Sequence, residues 1–111
     1  MKPMIANLEK LLGGPRDGAL LRLSLGNAWL EEDATRAAEY YRDALHHDRD
    51  YSAAWKGLGK ALEKADDPAG ALAAYREGVA TAAARGDRQA EKEMTVFARR
   101  VEKRLDAADD A

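Results

Sequence analysis

The sequence predicts an all-α fold built from a repeated helical unit. Ala, Leu, Glu, Lys and Arg, which favour helices, dominate the composition, while β-branched residues are few and no apolar and polar residues alternate as in a strand. A pattern of small and large residues also occurs twice along the chain at nearly constant spacing. Self-similarity of this kind indicates a repeat architecture, in which each unit packs against its neighbours.

The repeat is visible in two groups of positions. In the first group the spacing is 33 residues, and Leu25, Gly26, Ala28 and Trp29 recur as Leu58, Gly59, Ala61 and Leu62. In the second group the spacing is 34 residues, and Ala37, Tyr41 and Ala44 recur as Ala71, Tyr75 and Gly78. The change of one residue falls in the segment between the groups, where a turn tolerates a length change. Each unit is therefore expected to be helix, turn, helix.

Turn-forming residues set the predicted helix boundaries. Gly and Pro at residues 13–15 end the first helix, and Asp17 is a candidate N-cap for the second. Pro68 suits the first turn of the fifth helix, Gly86 suits a left-handed cap at its end, and Asp87 can begin the sixth. The predicted helices are residues 3–12, 18–31, 34–47, 52–65, 68–85 and 87–105.

The helical glycines predict close contact between helices. Glycine in a helix costs about 1 kcal/mol relative to alanine, so it needs a compensating role. We expect Gly59 to lie against Ala71 where two antiparallel helices cross, with Trp55, Leu62 and Tyr75 filling the space around the contact.

These residues resemble the tetratricopeptide repeat, a helix hairpin of about 34 residues. Residues 52–85 carry its pattern closely, with Trp55, Leu58, Gly59, Leu62, Ala71, Tyr75 and Gly78. Residues 19–51 carry it with two departures, since Arg22 stands where tryptophan is usual and Arg49 where proline is frequent. The ending "RGDRQAEKEMTVFARRVEKRL" resembles that of small stand-alone bacterial proteins of this repeat class.

The resemblance implies a right-handed α-solenoid of antiparallel helix hairpins, in one domain spanning residues 1–111. Its parts are repeat 1 at 19–51, repeat 2 at 52–85, a capping helix at 87–105 and an acidic tail at 106–111. The first helix then resembles the second half of a leading repeat. The capping helix carries one apolar stripe of Ala90, Met94, Phe97, Val101 and Leu105.

Charge and composition restrict the partners. The chain has 18 basic and 20 acidic residues, for a net charge of -2, which does not favour nucleic acid or an anionic membrane. It lacks cysteine, and "MKPMIANLEKLL" has only short apolar runs, unlike a signal peptide or a membrane span. We therefore expect a cytoplasmic protein whose partner is a protein or peptide, with no nucleic acid and no membrane.

No residue pattern predicts catalysis, a cofactor or a metal. Ser24 and Ser52 have no marked base nearby, and phosphate-loop and metalloprotease spacings are missing. His46 and His47 in "HHDRD" are adjacent on a helix and point about 100° apart, so they do not readily share an ion. We expect a protein that is not an enzyme.

The family resemblance implies a concave groove, lined by the first helix of each repeat, that binds an extended peptide or a helix. Helical periodicity places eight residues on this face: Leu20, Leu23, Asn27, Leu30, Ala53, Lys56, Lys60 and Lys64. Chaperone-binding members hold a terminal carboxylate with a clamp, and Asn27, Lys56 and Lys60 match it in type and face. Leu23 stands where the clamp requires lysine. A looser groove for an acidic, partly apolar peptide and a merely solvated lysine face are the alternatives.

Two further surfaces leave alternatives open. The leucine row of Leu20, Leu23 and Leu30 can be covered by the N-terminal segment, bind a partner or mediate self-association. Self-association would make the chain a structural subunit or homo-oligomer, although we expect a monomer. The basic cluster "RRVEKR" at residues 99–104 is either a solvated capping face or, through the last helix, a nucleic-acid contact.

Overall fold

A computed structural model of the chain describes residues 2–110, and these form six α helices without any strand. The helices are α1 (Pro3–Glu9), α2 (Ala19–Trp29), α3 (Ala34–His47), α4 (Ser52–Lys64), α5 (Pro68–Arg85) and α6 (Arg88–Asp110). Each helix packs against the next one in the chain, and α2 also contacts α4. The predicted all-α helical repeat is confirmed.

The two outermost helices differ in length from the prediction. Helix α1 ends at Glu9, and residues 10–16 form turns and bends around the Gly and Pro residues. Helix α6 continues to Asp110, so most of the predicted acidic tail is helical. No helix breaker stands between Leu105 and Asp110, which explains why the helix does not end earlier.

The predicted ends of α5 are confirmed. Pro68 occupies its first turn, and Gly86 closes it with a φ of 73° in the left-handed region. The side chain of Asp87 accepts a hydrogen bond of 3.1 Å from the N–H of Ala90, which caps the start of α6.

The predicted N-cap of α2 is wrong. Gly18 occupies the N-cap position, and no side chain caps the helix. The Asp17 carboxylate instead accepts a hydrogen bond of 2.9 Å from the N–H of Gly13 and pairs with Arg22 at 2.7 Å. Arg22 also bonds Asp43 on α3 at 3.0 Å. The arginine that replaces the usual tryptophan therefore ties the loop, α2 and α3 together through charge-assisted hydrogen bonds.

The fully buried ring of Tyr41 fills the space that two glycines leave between neighbouring helices. The Tyr41 ring on α3 lies between Gly26 on α2 and Gly57 on α4, and a Cβ added at Gly26 would come within 2.7 Å of it. A Cβ at Gly57 would come even closer. These positions exclude any side chain, because real Cβ atoms do not approach a ring this closely.

The expected partner of Gly59 is wrong. Gly59 faces the ring of Tyr75 rather than Ala71, because the bulky ring on α5 fills the space that the missing side chain leaves. Gly78 marks a second close approach, where an added Cβ would meet Met94 on α6 and lie 3.0 Å from Cβ of Trp55 on α4.

The terminal helices close both ends of the core. Ile5 of α1 is completely buried. From the apolar stripe of α6, Met94 and Val101 are completely buried, while Phe97 and Leu105 pack against the core and remain partly exposed.

Candidate peptide-binding groove

Helices α2, α4 and α6 lie side by side, held by ion pairs between their facing residues. Lys64 Nζ on α4 lies 3.2 Å from the Oε2 of Glu31, just after α2. The same helix reaches α6 through two further pairs, Lys56–Glu93 at 2.7 Å and Glu63–Arg100 at 2.9 Å. The first pair spans 33 residues, the spacing of the sequence repeat, and the other two span 37. Residues of α6 are therefore aligned with residues of α4, and these with α2, at nearly constant spacings along the chain.

The leucines at the α2 end of this face are mostly covered. Leu20 is 68 % exposed, but Leu23 and Leu30 are partly buried and pack against the core. The leucine row is therefore exposed at Leu20 and partly covered at Leu23 and Leu30, which pack against the core. The apolar surface that remains on α2 is centred on Leu20.

Asn27 presents its amide nitrogen on the middle of the face. Its side chain is exposed, and its Oδ1 accepts a hydrogen bond of 2.6 Å from the hydroxyl of Tyr41. Burial raises the pKa of Tyr41 to about 12, so the hydroxyl keeps its proton at neutral pH. This bond occupies the amide oxygen and leaves the NH₂ group to donate outward.

The three lysines of α4 differ in their surroundings. Lys56 and Lys64 each form an ion pair, with Glu93 and Glu31 respectively. The hydrogen bond from Lys56, with the charges of Lys56 and Lys60, lowers the pKa of Glu93. Among residues 2–109, no carboxylate lies within 4.0 Å of the Lys60 ammonium, which lies 5.5 Å from the centre of the Phe97 ring on α6.

Phe97 is the centre of a cluster that sequence reasoning missed. Its ring lies 5.5 Å from that of Tyr75, and the Arg100 guanidinium lies 5.1 Å from its centre. The Tyr75 hydroxyl donates a hydrogen bond to Glu63, and burial together with this carboxylate raises the pKa of Tyr75. The sequence predicts a capping helix or a nucleic-acid contact for α6 and places none of the groove residues on it. The spacing of 37 residues from Lys56 to Glu93 and from Lys60 to Phe97 was the available signal, but no repeat motif marks it.

A small hollow lies where α4 and α6 begin. Its volume is about 180 Å³, and it is lined by Ser52, Ala53, Lys56, Asp87, Ala90 and Met94. Ala53 and Lys56 are two of the predicted groove residues. The hollow has room for a small side chain beside a basic group.

Other candidate sites do not converge on one point. His46 and His47 are exposed at the end of α3, and the described part of the chain contains no cluster of three metal-ligating side chains. The "RRVEKR" cluster is divided, since Arg100 and Arg104 pair with Glu63 and Asp66 on the α4 side. None of the six helices, within residues 2–110, is long and apolar enough to cross a membrane.

A stack of helix hairpins with one continuous face of first helices defines a helical-repeat protein. No family model matches the sequence. The chain is, however, 52 % identical over 101 residues to a TPR repeat-containing protein of Pseudomonas aeruginosa, covering 90 % of this chain and 96 % of that protein. The chain therefore belongs to the tetratricopeptide repeat family.

Solved structures agree with this assignment. The solution structure of a protein from Bordetella parapertussis matches with a TM-score of 0.80 and 41 % identity, over 94 % of this chain and 91 % of that one. A tetratricopeptide repeat domain protein from Salinibacter ruber matches with a TM-score of 0.72 and 26 % identity, over 80 % of this chain and 90 % of that one. Proteins of this family are generally protein-interaction modules and non-catalytic scaffolds.

Proposed function

We propose that this protein is a non-catalytic, monomeric module that binds an acidic, partly apolar peptide segment in the groove of α2, α4 and α6. The observation that carries the proposal is Lys60, an exposed cation on the central helix with no carboxylate of residues 2–109 within 4.0 Å. Its neighbours Lys56 and Lys64 are both paired within the chain.

Three equivalent positions supply complementary contacts across the groove. Asn27, Lys60 and Phe97 are separated by 33 and 37 residues, the same spacings as the ion pairs between their helices. The Asn27 amide can donate to a peptide carbonyl, and the Lys60 ammonium can attract a peptide carboxylate. Phe97 and the exposed Leu20 supply apolar contact. This combination supports a peptide with both acidic and apolar side chains.

The carboxylate clamp is a less suitable description of this groove. It requires a lysine at the place of Leu23, which is apolar and partly buried. Lys56, the second clamp candidate, is already bound to Glu93. An internal acidic side chain of a peptide can reach Lys60 without displacing that pair. We therefore propose recognition of acidic side chains rather than of a chain terminus.

Selection from an unbiased displayed peptide library tests this proposal. We expect the selected peptides to be acidic, because the unpaired charge on the groove is positive. Lys60→Glu should then lower the affinity for a selected peptide by about tenfold or more at low salt, since it replaces attraction by repulsion. Lys10→Glu is the matched control, because it makes the same charge change on an exposed residue beyond α1. Selection of neutral or basic peptides, or equal losses in both variants, would contradict the proposal.

The oligomeric state is tested separately by light scattering. With Leu23 and Leu30 packed on the core, Leu20 alone offers little apolar area for a stable dimer. We expect a monomer at all accessible concentrations. A concentration-dependent mass that Leu20→Ser abolishes would instead favour the structural-subunit alternative.

A further inference from the structure

Helix α6 has a face that corresponds to a packed face of α4 but has no helix against it. Residues that lie side by side on the two helices, such as Lys60 and Phe97, are 37 residues apart. On α4, Gly59 and Trp55 contact α5, the second helix of the same hairpin. The same offset places Val96 and Lys92 at these two positions of α6. Val96 is 60 % exposed, because no second helix follows α6 within the described residues.

This outer face of α6 borders a cavity at the end of the stack. The cavity has a volume of about 630 Å³ and lies between the end of α5 and α6, lined by Ala83, Gly86, Arg88, Glu91, Lys92, Thr95, Val96 and Arg99. A second hollow of about 290 Å³ continues along the helix and is lined by Val96, Arg99, Arg100 and Lys103. Together they form one groove along the outer stripe of the helix.

The stripe is positively charged, and its cations are unpaired. Arg88, Lys92, Arg99 and Lys103 recur at helical spacing with Val96 in the middle. Within residues 2–109, none of these four forms an ion pair, and Glu91 is the one carboxylate of these residues that lines the cavity. Two neighbouring arginines of the same helix differ from this stripe, since Arg100 and Arg104 both pair with acids of the α4 hairpin.

These observations indicate what kind of element would fit the face. On α4 the equivalent face holds a helix, so the geometry suits a helix here as well. A partner that complements four cations around an exposed valine has acidic residues around an apolar one. The stripe from Arg88 to Lys103 is about 22 Å long, at 1.5 Å per residue. An amphipathic helix of similar length would cover it.

A second copy of this chain does not supply such a helix by end-to-end stacking. The helix at the opposite end of the stack is α1, which has 7 residues and spans about half the stripe. It is flanked by Lys2 and Lys10, which would lie near the cations of α6. Like charges across an interface are unfavourable, so an end-to-end assembly is disfavoured.

We propose that the outer face of α6 is a second docking surface, which binds an acidic amphipathic helix of a partner protein and so completes a third hairpin. The two surfaces lie on different sides of α6, since Phe97 faces α4 and Val96 is exposed. This proposal does not depend on peptide binding in the groove of α2, α4 and α6, and each surface can be occupied alone.

The test uses the full chain, labelled with ¹⁵N, and a synthetic helical peptide of about 16 residues. The peptide carries a leucine stripe flanked by glutamates, and a second peptide has lysine in place of each glutamate. We expect the acidic peptide to shift the amide signals of Thr95, Val96 and Arg99. Shifts of Asn27 and Lys60 would report separate binding in the groove of α2, α4 and α6. The basic peptide should bind at least about tenfold more weakly, because its charges repel the stripe.

Two double variants of equal charge test whether the outer stripe of α6 binds the acidic peptide. Lys92→Gln with Arg99→Gln should lower the affinity for the acidic peptide by about tenfold at low salt, because two charge pairs are lost. Lys10→Gln with Arg42→Gln removes the same charge from exposed residues of α3 and of the segment after α1, and should change the affinity by less than about twofold. Circular dichroism confirms that both variants remain helical.

Four results would overturn the proposal. They are signal shifts confined to Asn27 and Lys60, equal losses in both double variants, equal binding of the acidic and basic peptides, and a self-associated chain in which the α6 face is already covered. A single-stranded oligonucleotide is titrated in parallel. Tighter binding of this oligonucleotide to the same stripe, with a steep salt dependence, would assign the face to nucleic acid instead.

Discussion

Replacing Gly57 by alanine separates what helix propensity predicts from what the tertiary structure predicts. Gly57 lies inside α4, and alanine in a helix is favoured over glycine by about 1 kcal/mol. Propensity alone therefore predicts a more stable protein. In the structure, a Cβ at Gly57 would lie 2.7 Å from Cδ1 of Tyr41 and closer still to two other ring atoms.

The ring of Tyr41 cannot retreat from the new methyl group. It is completely buried, and the backbone of Gly26 lies close on α2. Ordinary contacts between carbon atoms are about 3.5–4.0 Å, so α3 or α4 must move by about 1 Å. Overpacking of this kind costs about 1–3 kcal/mol, and we expect the upper half of that range because the ring is fixed on both sides. After the gain in propensity, Gly57→Ala should lower the free energy of unfolding by about 1–2 kcal/mol.

A double-mutant cycle measured by urea denaturation tests this reasoning. A loss of 1 kcal/mol corresponds to a fall in Tm of about 4 °C for a chain of this length. In a Tyr41→Ala background, itself about 3–5 kcal/mol less stable, the ring is gone and Gly57→Ala should stabilise by about 1 kcal/mol. The sign of the effect should therefore reverse. A stabilising Gly57→Ala in the original sequence, or an equal loss in both backgrounds, would refute the steric explanation.

Three further predictions concern other parts of the fold. Tyr75→Phe should lower the free energy of unfolding by about 1–2 kcal/mol, because the hydroxyl no longer donates to Glu63, and an unchanged denaturation midpoint would contradict this. The hydrogen bond from Arg22 holds the pKa of Asp17 below its usual range, so this stabilisation is present above about pH 4 and is lost as the pH falls. Asp17→Asn should thus make stability less dependent on pH between about 5 and 2, and parallel profiles of the two proteins would exclude that role. Asp66 has a φ of 61°, and Asp66→Gly should raise the free energy of unfolding by up to about 1 kcal/mol, which thermal denaturation would detect.

The ends of α5 and the start of α6 were predictable because the signals that set them are local. Pro68, Gly86 and Asp87 set the ends of α5 and the start of α6 through backbone conformation and capping, which depend on a few neighbouring residues. Asp17 shows where this reasoning fails. Its side chain has the composition of an N-cap, but Arg22 and Gly13 compete for the carboxylate, and the competition depends on how the loop folds.

The candidate groove was predictable in its helices but only partly in its residues. Helical periodicity placed Asn27 and Lys60 on the face of α2 and α4, and both are exposed there. It could not show that Lys56 and Lys64 are paired, because Glu93 and Glu31 lie 37 and 33 residues away in the chain. Nor could it show that neighbouring packing partly covers Leu23 and Leu30. These contacts join distant segments, so no local pattern encodes them.

The sequence by itself determined an all-helical repeat, its hairpins and the family to which they belong, because propensity, periodicity and spacing act over short stretches of chain. Only the tertiary structure decided which ring fills each glycine gap, with Tyr41 between Gly26 and Gly57 and Tyr75 against Gly59. It also decided that α6 lies beside α4 as the third helix of the candidate face, in a register of 37 residues that no repeat motif marks. Register between neighbouring helices depends on how side chains interlock in three dimensions, and this is why it emerged only when the helices were packed together.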